Sequence, residues 1–479
     1  MALPDVAVST LPPERFAGVL TSEGLARFER AIARGRELLG DGALWTVNST
    51  AFGGGVAEML RSLVGYVRGA GLDMRWVVMQ GDPEFFRVTK RLHNRLHGAQ
   101  DSAPLGPAER ATYERCCARN AEELTAQIRS AGATAILLHD PQTAGMIPRL
   151  LELGVPVIWR AHIGLDLPNE AAREAWRFLL PYVRPANAYV FSRPAYAWEG
   201  LDPRRVSVIP PSIDAFSPKN HVMSFTGVAA VLRAAGLAAD HHHPSRAAFE
   251  RLDGTTGTVT RRARMIEEEA LRLDTPVVVQ VSRWDRLKDP LGVLAGFAEF
   301  VHLELEDPHL VLAGPDVAAV ADDPEGAEAL AEVVAVWHDS PRSLRRRVHL
   351  ALIPMEDADE NAVIVNALQR RADVVVQKSL AEGFGLTVAE AMWKGRPVVA
   401  SRLGGIQDQI EDGRTGWLVD PTDLAAFGAR VSEMLADPHA AERIGEAAKM
   451  RVRDLYLGPR HLGQYVDLLG RILAPSTTA

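Results

Sequence analysis

The chain has 479 residues, 47% hydrophobic and 24% charged, with a formal net charge of −8. That length exceeds what one hydrophobic core organises and predicts two or three domains. The acidic balance argues against nucleic acid or an anionic membrane surface as the main partner, so any phosphate must be held by a local site.

The two cysteines, Cys116 and Cys117, cannot form a disulfide framework. The amino terminus lacks a basic stretch followed by an apolar one, and no apolar run nears the ~20 residues of a membrane span. A cytoplasmic protein is expected.

In chain order, short β-rich apolar runs alternate with helix-like stretches. Residues 43–48 read as a buried strand, and Gly53, Gly54 and Gly55 follow it and open a helix near 56–68. Residues 74–79 read as a strand and 85–96 as a helix, with further strands at 133–138, 155–159, 188–191 and 206–209. This pattern predicts a parallel α/β sheet covered on both faces. The proline-rich stretch 210–218 breaks regular structure and is the best boundary. It separates a first domain, 1–214, from a second, 215–455; a C-terminal helix, about 456–479, is free to pack back on the first. In the second domain strands are expected at 276–281, 310–313, 348–352, 373–377 and 397–400. A less regular polar region, about 222–272, contains three consecutive histidines, 241–243. They lack the i,i+4 spacing of helical metal ligands and read as a solvated loop.

The clearest chemical signal is the loop Glu382-Gly383-Phe384-Gly385-Leu386-Thr387, which runs from strand 373–377 into a helix carrying Glu390. The first amides of a helix lack intrahelical partners, and glycines let an anion approach them. Carboxylates at both ends suit the hydroxyls of a sugar, so a phosphorylated sugar or nucleotide sugar is expected. Thr387 and Glu390 also fit a Thr-x-x-Glu capping box, which gives Glu390 a structural competitor; for Glu382 the competitor is an exposed loop acid. The second signal is Arg283 and Lys288, in the loop leaving strand 276–281 at its carboxyl end, where ligands collect in open α/β sheets. Two cations there can neutralise a diphosphate and stabilise it as it departs, although basic loop residues are commonly only solvated. Gly53 to Gly55 can bring amides up to an anion, with a tight turn as an equal account. Asp357 and Asp359 read as helix-start acids. With no Asp-x-Asp at a strand end, no metal or other cofactor is required, and Mg2+ is expected at most as a counter-ion of a nucleotide.

Together Arg283, Lys288, the Glu382-x7-Glu390 motif and His162 resemble the GT4 family of retaining glycosyltransferases. Segments 85–94, 139–142, 159–163, 210–214, 322–326 and 382–394 are similar to the nucleotide-sugar-dependent trehalose synthases of that family, and the similarity runs over about residues 45–470. The resemblance implies a GT-B fold: two Rossmann-like α/β domains facing each other across a cleft, the first binding acceptor and the second donor. It implies that Arg283 and Lys288 hold the donor diphosphate, that Glu382 binds hydroxyls of the transferred glucose, and that Glu390 binds the ribose. Gly383, Phe384, Gly385, Leu386 and Thr387 would present amides to sugar and phosphate. The loop Gly53, Gly54, Gly55 would close over the phosphates, and the base would rest near Met355. His162, with Arg283, Lys288 and Glu382, would act at the reacting sugar, while Asp140, His162 and Asp166 would receive the acceptor. Trehalose synthases usually have an acidic residue directly after His-Ile; this chain has Gly164 there and Asp166 two residues later, a departure that bears on the acceptor.

The implied activity is reversible transfer of glucose from ADP- or UDP-glucose to free glucose, forming α,α-trehalose. The alternatives are a trehalose phosphorylase, a GT4 transferase with another small acceptor, and a non-catalytic nucleotide-sugar sensor. The implied partners are a nucleotide-sugar donor and a small sugar acceptor, with no nucleic acid and no membrane; a homodimer is compatible with the sequence.

Overall fold

The computed structural model of the chain describes residues 2–51, 54–99, 105–239, 247–300, 308–317 and 324–474. Two compact units divide it: Met1–Ser212 with Tyr456–Ala479, and Ile213–Leu455.

Among the described residues of the first unit six parallel strands form one sheet: β1 (Leu44–Asn48), β2 (Met74–Val78), β3 (Ala135–His139), β4 (Val157–Ala161), β5 (Ala188–Phe191) and β6 (Val206–Val208). Their order is β2-β1-β3-β4-β5-β6, with Leu44 opposite both Met74 and Ala135. Every residue of β1, β3, β4 and β5 is buried. Both faces are covered, so these strands read as unbroken apolar runs instead of alternating ones. Ile136, Leu138 and Trp159 join Phe85, Tyr113 and Phe178 on one face. Leu137 and Ile158 join Leu60, Val64 and Leu468 on the other. The helix Gly458–Leu473 therefore belongs to this core. Strands β3 and β4 begin two residues later than the apolar runs suggest, which makes Arg160 a strand residue and leaves His162 at the exit of β4.

The polar region 222–272 is more regular than expected. It contains the helix Phe225–Ala234, a hairpin of β7 (Ala248–Glu250) and β8 (Thr256–Thr258), and the strand β9 (Arg264–Ile266). The histidines 241–243 lie outside the described residues. Arg251 and Arg261 anchor this segment by ion pairs to Asp357 and Glu360 at the start of the helix Ala358–Arg371, contacts that hydrophobic periodicity does not signal. Asp357 caps that helix, accepting the amides of Asp359 and Glu360 at 3.1 Å each.

The sheet of the second unit continues with β10 (Val277–Val281), β11 (His309–Pro315), β12 (Val348–Ile353), β13 (Val374–Gln377), β14 (Val398–Ser401) and β15 (Trp417–Val419). Its order among the described residues is β15-β14-β13-β10-β11-β12-β9, parallel except for the edge strand β9, which runs antiparallel to β12. Val278, Leu310, Leu312, Leu350, Val374 and Val376 form its core with Phe297 and Phe427. Both units are thus doubly wound α/β sheets, in which ligands collect at the carboxyl ends of the strands. Among the described residues no helix is long and apolar enough to cross a membrane.

Candidate active site

In the second unit, the carboxyl ends of β10 and β13 bring Lys288 and Glu382 together. Lys288 sits in a single 3-10 turn, Arg286–Lys288, capped by the Asp285 carboxylate on the Leu287 amide at 2.8 Å. The turn is tied to the β13 loop by the Leu380 amide, which donates to the Leu287 carbonyl at 2.8 Å. Lys288 Nζ then lies 2.5 Å from Glu382 Oε2, with both side chains largely shielded from solvent. Arg283 does not join this pair; its exposed guanidinium bonds Asp285 at 3.1 Å.

After Glu382 the chain passes Gly383 and Phe384 to Gly385, the N-cap of the helix Leu386–Trp393. Gly385 has φ +81°, and a Cβ there would meet Ile406 at 2.9 Å; only glycine takes that conformation readily. Behind the loop, the Gln409 side-chain amide donates to the carbonyls of Phe384 and Gly385, and the Gly405 amide donates to Gly383 at 2.9 Å. The carbonyls are thus engaged from one side, while the first amides of the helix begin at the loop.

The capping box is not formed. Thr387 lies inside the helix and its hydroxyl donates to Gln377 Oε1 at 3.0 Å. Glu390 is buried, with Lys219 at 3.4 Å. Met355, two residues beyond β12, is 42% exposed, and Asn361 Nδ2 lies 3.2 Å from its sulfur.

In the first unit a polar chain runs through the buried sheet. Arg160, fully buried in β4, donates to the Ile209 carbonyl at 3.0 Å and the Tyr465 hydroxyl at 2.9 Å, and its Nε lies 3.2 Å from His162 Nε2. His139 Nδ1 lies 3.0 Å from the same nitrogen, and His139 Nε2 lies 2.8 Å from Thr46 Oγ1. A guanidinium has no lone pair to give, so one ring nitrogen of His162, Nε2 at 3.2 Å or Nδ1 at 3.3 Å, must accept from Arg160 Nε, and the ring is neutral. Desolvation and the Arg160 charge agree with this: they hold His139 down at about 3 and His162 well below the usual imidazole range.

Asp140, a non-glycine residue at φ +63°, accepts the His162 amide at 2.8 Å through Oδ1. Desolvation pushes its carboxyl up to about 7, against that hydrogen bond and Arg160. Asp166 is bonded by Arg193 at 2.5 Å. At Gly164 a Cβ would fall 2.2 Å from the Tyr196 ring, so the ring occupies the space of an acidic side chain at that position.

Gly53 lies outside the described residues; Gly54, at φ +79°, and Gly55 open the helix Gly54–Gly69. Sequence reasoning missed Lys378, Gln409, Lys219 and Arg193, which support the loops from distant parts of the chain.

Comparison with known proteins places these features in a class. Residues 46–198 match the family model "Trehalose synthase, N-terminal domain", and residues 358–451 match "Glycosyl transferases group 1". An α,α-trehalose-phosphate synthase from Burkholderia vietnamiensis superposes with a TM-score of 0.62 at 15% identity, covering 89% of this chain and 98% of that one. HepE from Anabaena, solved in complex with UDP and glucose, superposes with a TM-score of 0.60 at 14% identity, covering 90% of this chain and 100% of that one. The fold is that of a GT-B glycosyltransferase. The trehalose synthase of Pyrococcus horikoshii is 35% identical over 433 residues, 89% of each chain. The trehalose phosphorylase of Pleurotus pulmonarius is 26% identical over 85% of this chain and 54% of its own. The chain belongs to the trehalose synthase family.

Proposed function

We propose that the protein transfers glucose, with retention, from a nucleoside diphosphate glucose to free glucose, reversibly forming α,α-trehalose. The observation that carries this reading is the Lys288–Glu382 pair at 2.5 Å, set against the amino end of the helix Leu386–Trp393. It offers a cation for a diphosphate, a carboxylate for sugar hydroxyls and a helix terminus for phosphate, on two adjacent loops tied by the Leu380 amide. The UDP and glucose held by HepE agree with a donor of this kind.

In this mechanism the donor lies in the second unit, with Arg283 and Lys288 on the diphosphate, Glu382 on the glucose, Glu390 on the ribose and the base near Met355. The amides of Gly383, Phe384, Gly385, Leu386 and Thr387 meet sugar and phosphate. This reading requires no metal; Mg2+ would serve at most as a counter-ion of the nucleotide. The acceptor is received by the first unit at Asp140, His162 and Asp166. The bond from the anomeric carbon to phosphate oxygen lengthens while Lys288 stabilises the charge that grows on that oxygen. The acceptor hydroxyl attacks from the same face and passes its proton to the departing diphosphate. No carboxylate need form a covalent intermediate, unlike the double displacement of retaining glycosidases.

A second reading, phosphorolysis of trehalose, is supported by the likeness to the Pleurotus phosphorylase. The deciding experiment incubates the protein and trehalose with ADP, UDP or inorganic phosphate and analyses the sugar products. Nucleoside diphosphate glucose is expected; glucose 1-phosphate formed from phosphate alone would replace the first reading with the second. Absence of turnover with every donor and acceptor would leave a nucleotide-sugar sensor.

A further inference from the structure

We infer that Lys378 is a positioning residue of the donor site, holding the Lys288 turn in register through Asp289. This rests on the reading of Lys288 as a diphosphate-binding cation. Lys378 directly follows β13, is 1% exposed, and its ammonium bonds Asp289 Oδ2. A buried ammonium is costly even when paired, and a hydrocarbon side chain fills such a site at lower cost. Packing alone therefore does not call for lysine here.

The partner explains the choice. Asp289 is adjacent to Lys288 and has a left-handed backbone, φ +50° and ψ +49°, a conformation uncommon outside glycine that Asp adopts when its side chain is hydrogen-bonded locally. Its carboxylate is divided between two tasks. Oδ1 accepts the Gly292 amide at 3.0 Å, in the first turn of the helix Pro290–Phe300, and Oδ2 takes the Lys378 ammonium. Lys378 reaches the same turn a second way: its amide donates to Gln280 Oε1 at 3.3 Å, and Gln280 Nε2 donates to the Lys288 carbonyl at 3.0 Å. Gly292 leaves room for the pair, since a Cβ there would fall 2.1 Å from Asp289 Oδ2 and 2.6 Å from Lys378 Nζ.

One residue thus ties the turn bearing Lys288 to the strand end that leads, four positions on, to Glu382. Losing the tie frees the Lys288 ammonium from the place where a diphosphate would meet it, without removing any group that touches the ligand.

The test compares Lys378→Met, Lys288→Ala and the double variant by calorimetric titration with UDP and UMP, and with ADP and AMP. Lys378→Met is expected to weaken diphosphate binding by about tenfold, to leave monophosphate binding unchanged, and to add nothing on the Lys288→Ala background. Equal losses for mono- and diphosphate, or losses that multiply in the double variant, overturn the inference while the donor reading stands. A Lys288→Ala protein that binds diphosphates normally overturns the donor reading and the inference with it. Should Lys378→Met fail to fold, Asp289→Asn, which keeps an oxygen for the Gly292 amide, carries the same comparison.

Discussion

Lys219 Nζ stands 3.4 Å from Glu390 Oε1, and the carboxylate it faces is almost wholly buried. Because Thr387 bonds Gln377 and not the helix start, capping does not account for this glutamate. Glu390→Gln keeps the shape and loses the charge. A hydrogen bond to a charged group contributes about 1.5–3 kcal/mol, so affinity for ADP or UDP should fall roughly tenfold or more, measured by calorimetry. An unchanged affinity would remove Glu390 from the ribose site.

Arg283 and Lys288 in the β10 loop should separate stability from turnover. Lys288→Ala is expected to lower kcat by roughly 10²-fold, the order seen when one preorganised charge is removed from a transition state. Arg283 is exposed, and among the described residues its ion pair is with Asp285, two residues on. Its replacement by alanine should shift stability by less than about 0.5 kcal/mol while still lowering kcat. Steady-state kinetics beside urea unfolding read both; full activity in Arg283→Ala would assign that residue to the surface pair alone.

Acid should weaken the first unit, with a sign that can be worked out. Burial holds His139, His162 and His461 neutral in the folded state, with His139 down at about 3. Below about 6.5, the ordinary histidine value, the unfolded chain binds protons that the folded chain refuses, so stability falls as pH falls. Asp140 opposes this: its folded carboxyl, raised to about 7, keeps a proton that the unfolded carboxyl has lost above about 4. Asp140→Asn removes that opposing group and tolerates the left-handed backbone. Between about pH 4.5 and 6.5 its stability should therefore fall more steeply than that of the parent, by about one extra proton, as read from urea unfolding at stepped pH. An unchanged slope would show that the carboxyl titrates normally.

The position after His-Ile can be tested by restoring the missing acid. Gly164→Asp drives a side chain into Tyr196, and overpacking of this kind commonly costs about 1–3 kcal/mol. Adding Tyr196→Ala should recover part of that loss. If Gly164→Asp is as stable as the parent, the ring moves aside freely and does not set the shape of the acceptor side.

Much of the scaffold was legible because strands buried on both faces are unbroken apolar runs. The same rule misplaced the end of β4. Arg160 interrupts the apolar run, yet it is fully buried there because Tyr465, the Ile209 carbonyl and the His162 ring receive its guanidinium. The helix Pro107–Ala131 went unread because its buried positions mix Thr112, Cys116, Cys117 and Asn120 with Tyr113 and Leu124, which blurs the apolar stripe. In the candidate site, the glycine loop and the Lys288 turn stood out as local motifs. The groups that brace them did not, since Lys378 and Asp289 are 89 residues apart and leave no periodic trace.

The helix Gly458–Leu473 supplies Tyr465 to Arg160 and Leu468 to the first core, although it follows the whole of the second unit in the chain. During synthesis the second unit can complete its sheet while the first still waits for this helix. A ribosome-bound chain halted before residue 456 would carry an assembled second unit and a first unit whose buried Arg160 guanidinium lacks its phenol partner. Acceptor recognition, on the proposed reading, then matures after the unit that takes the donor.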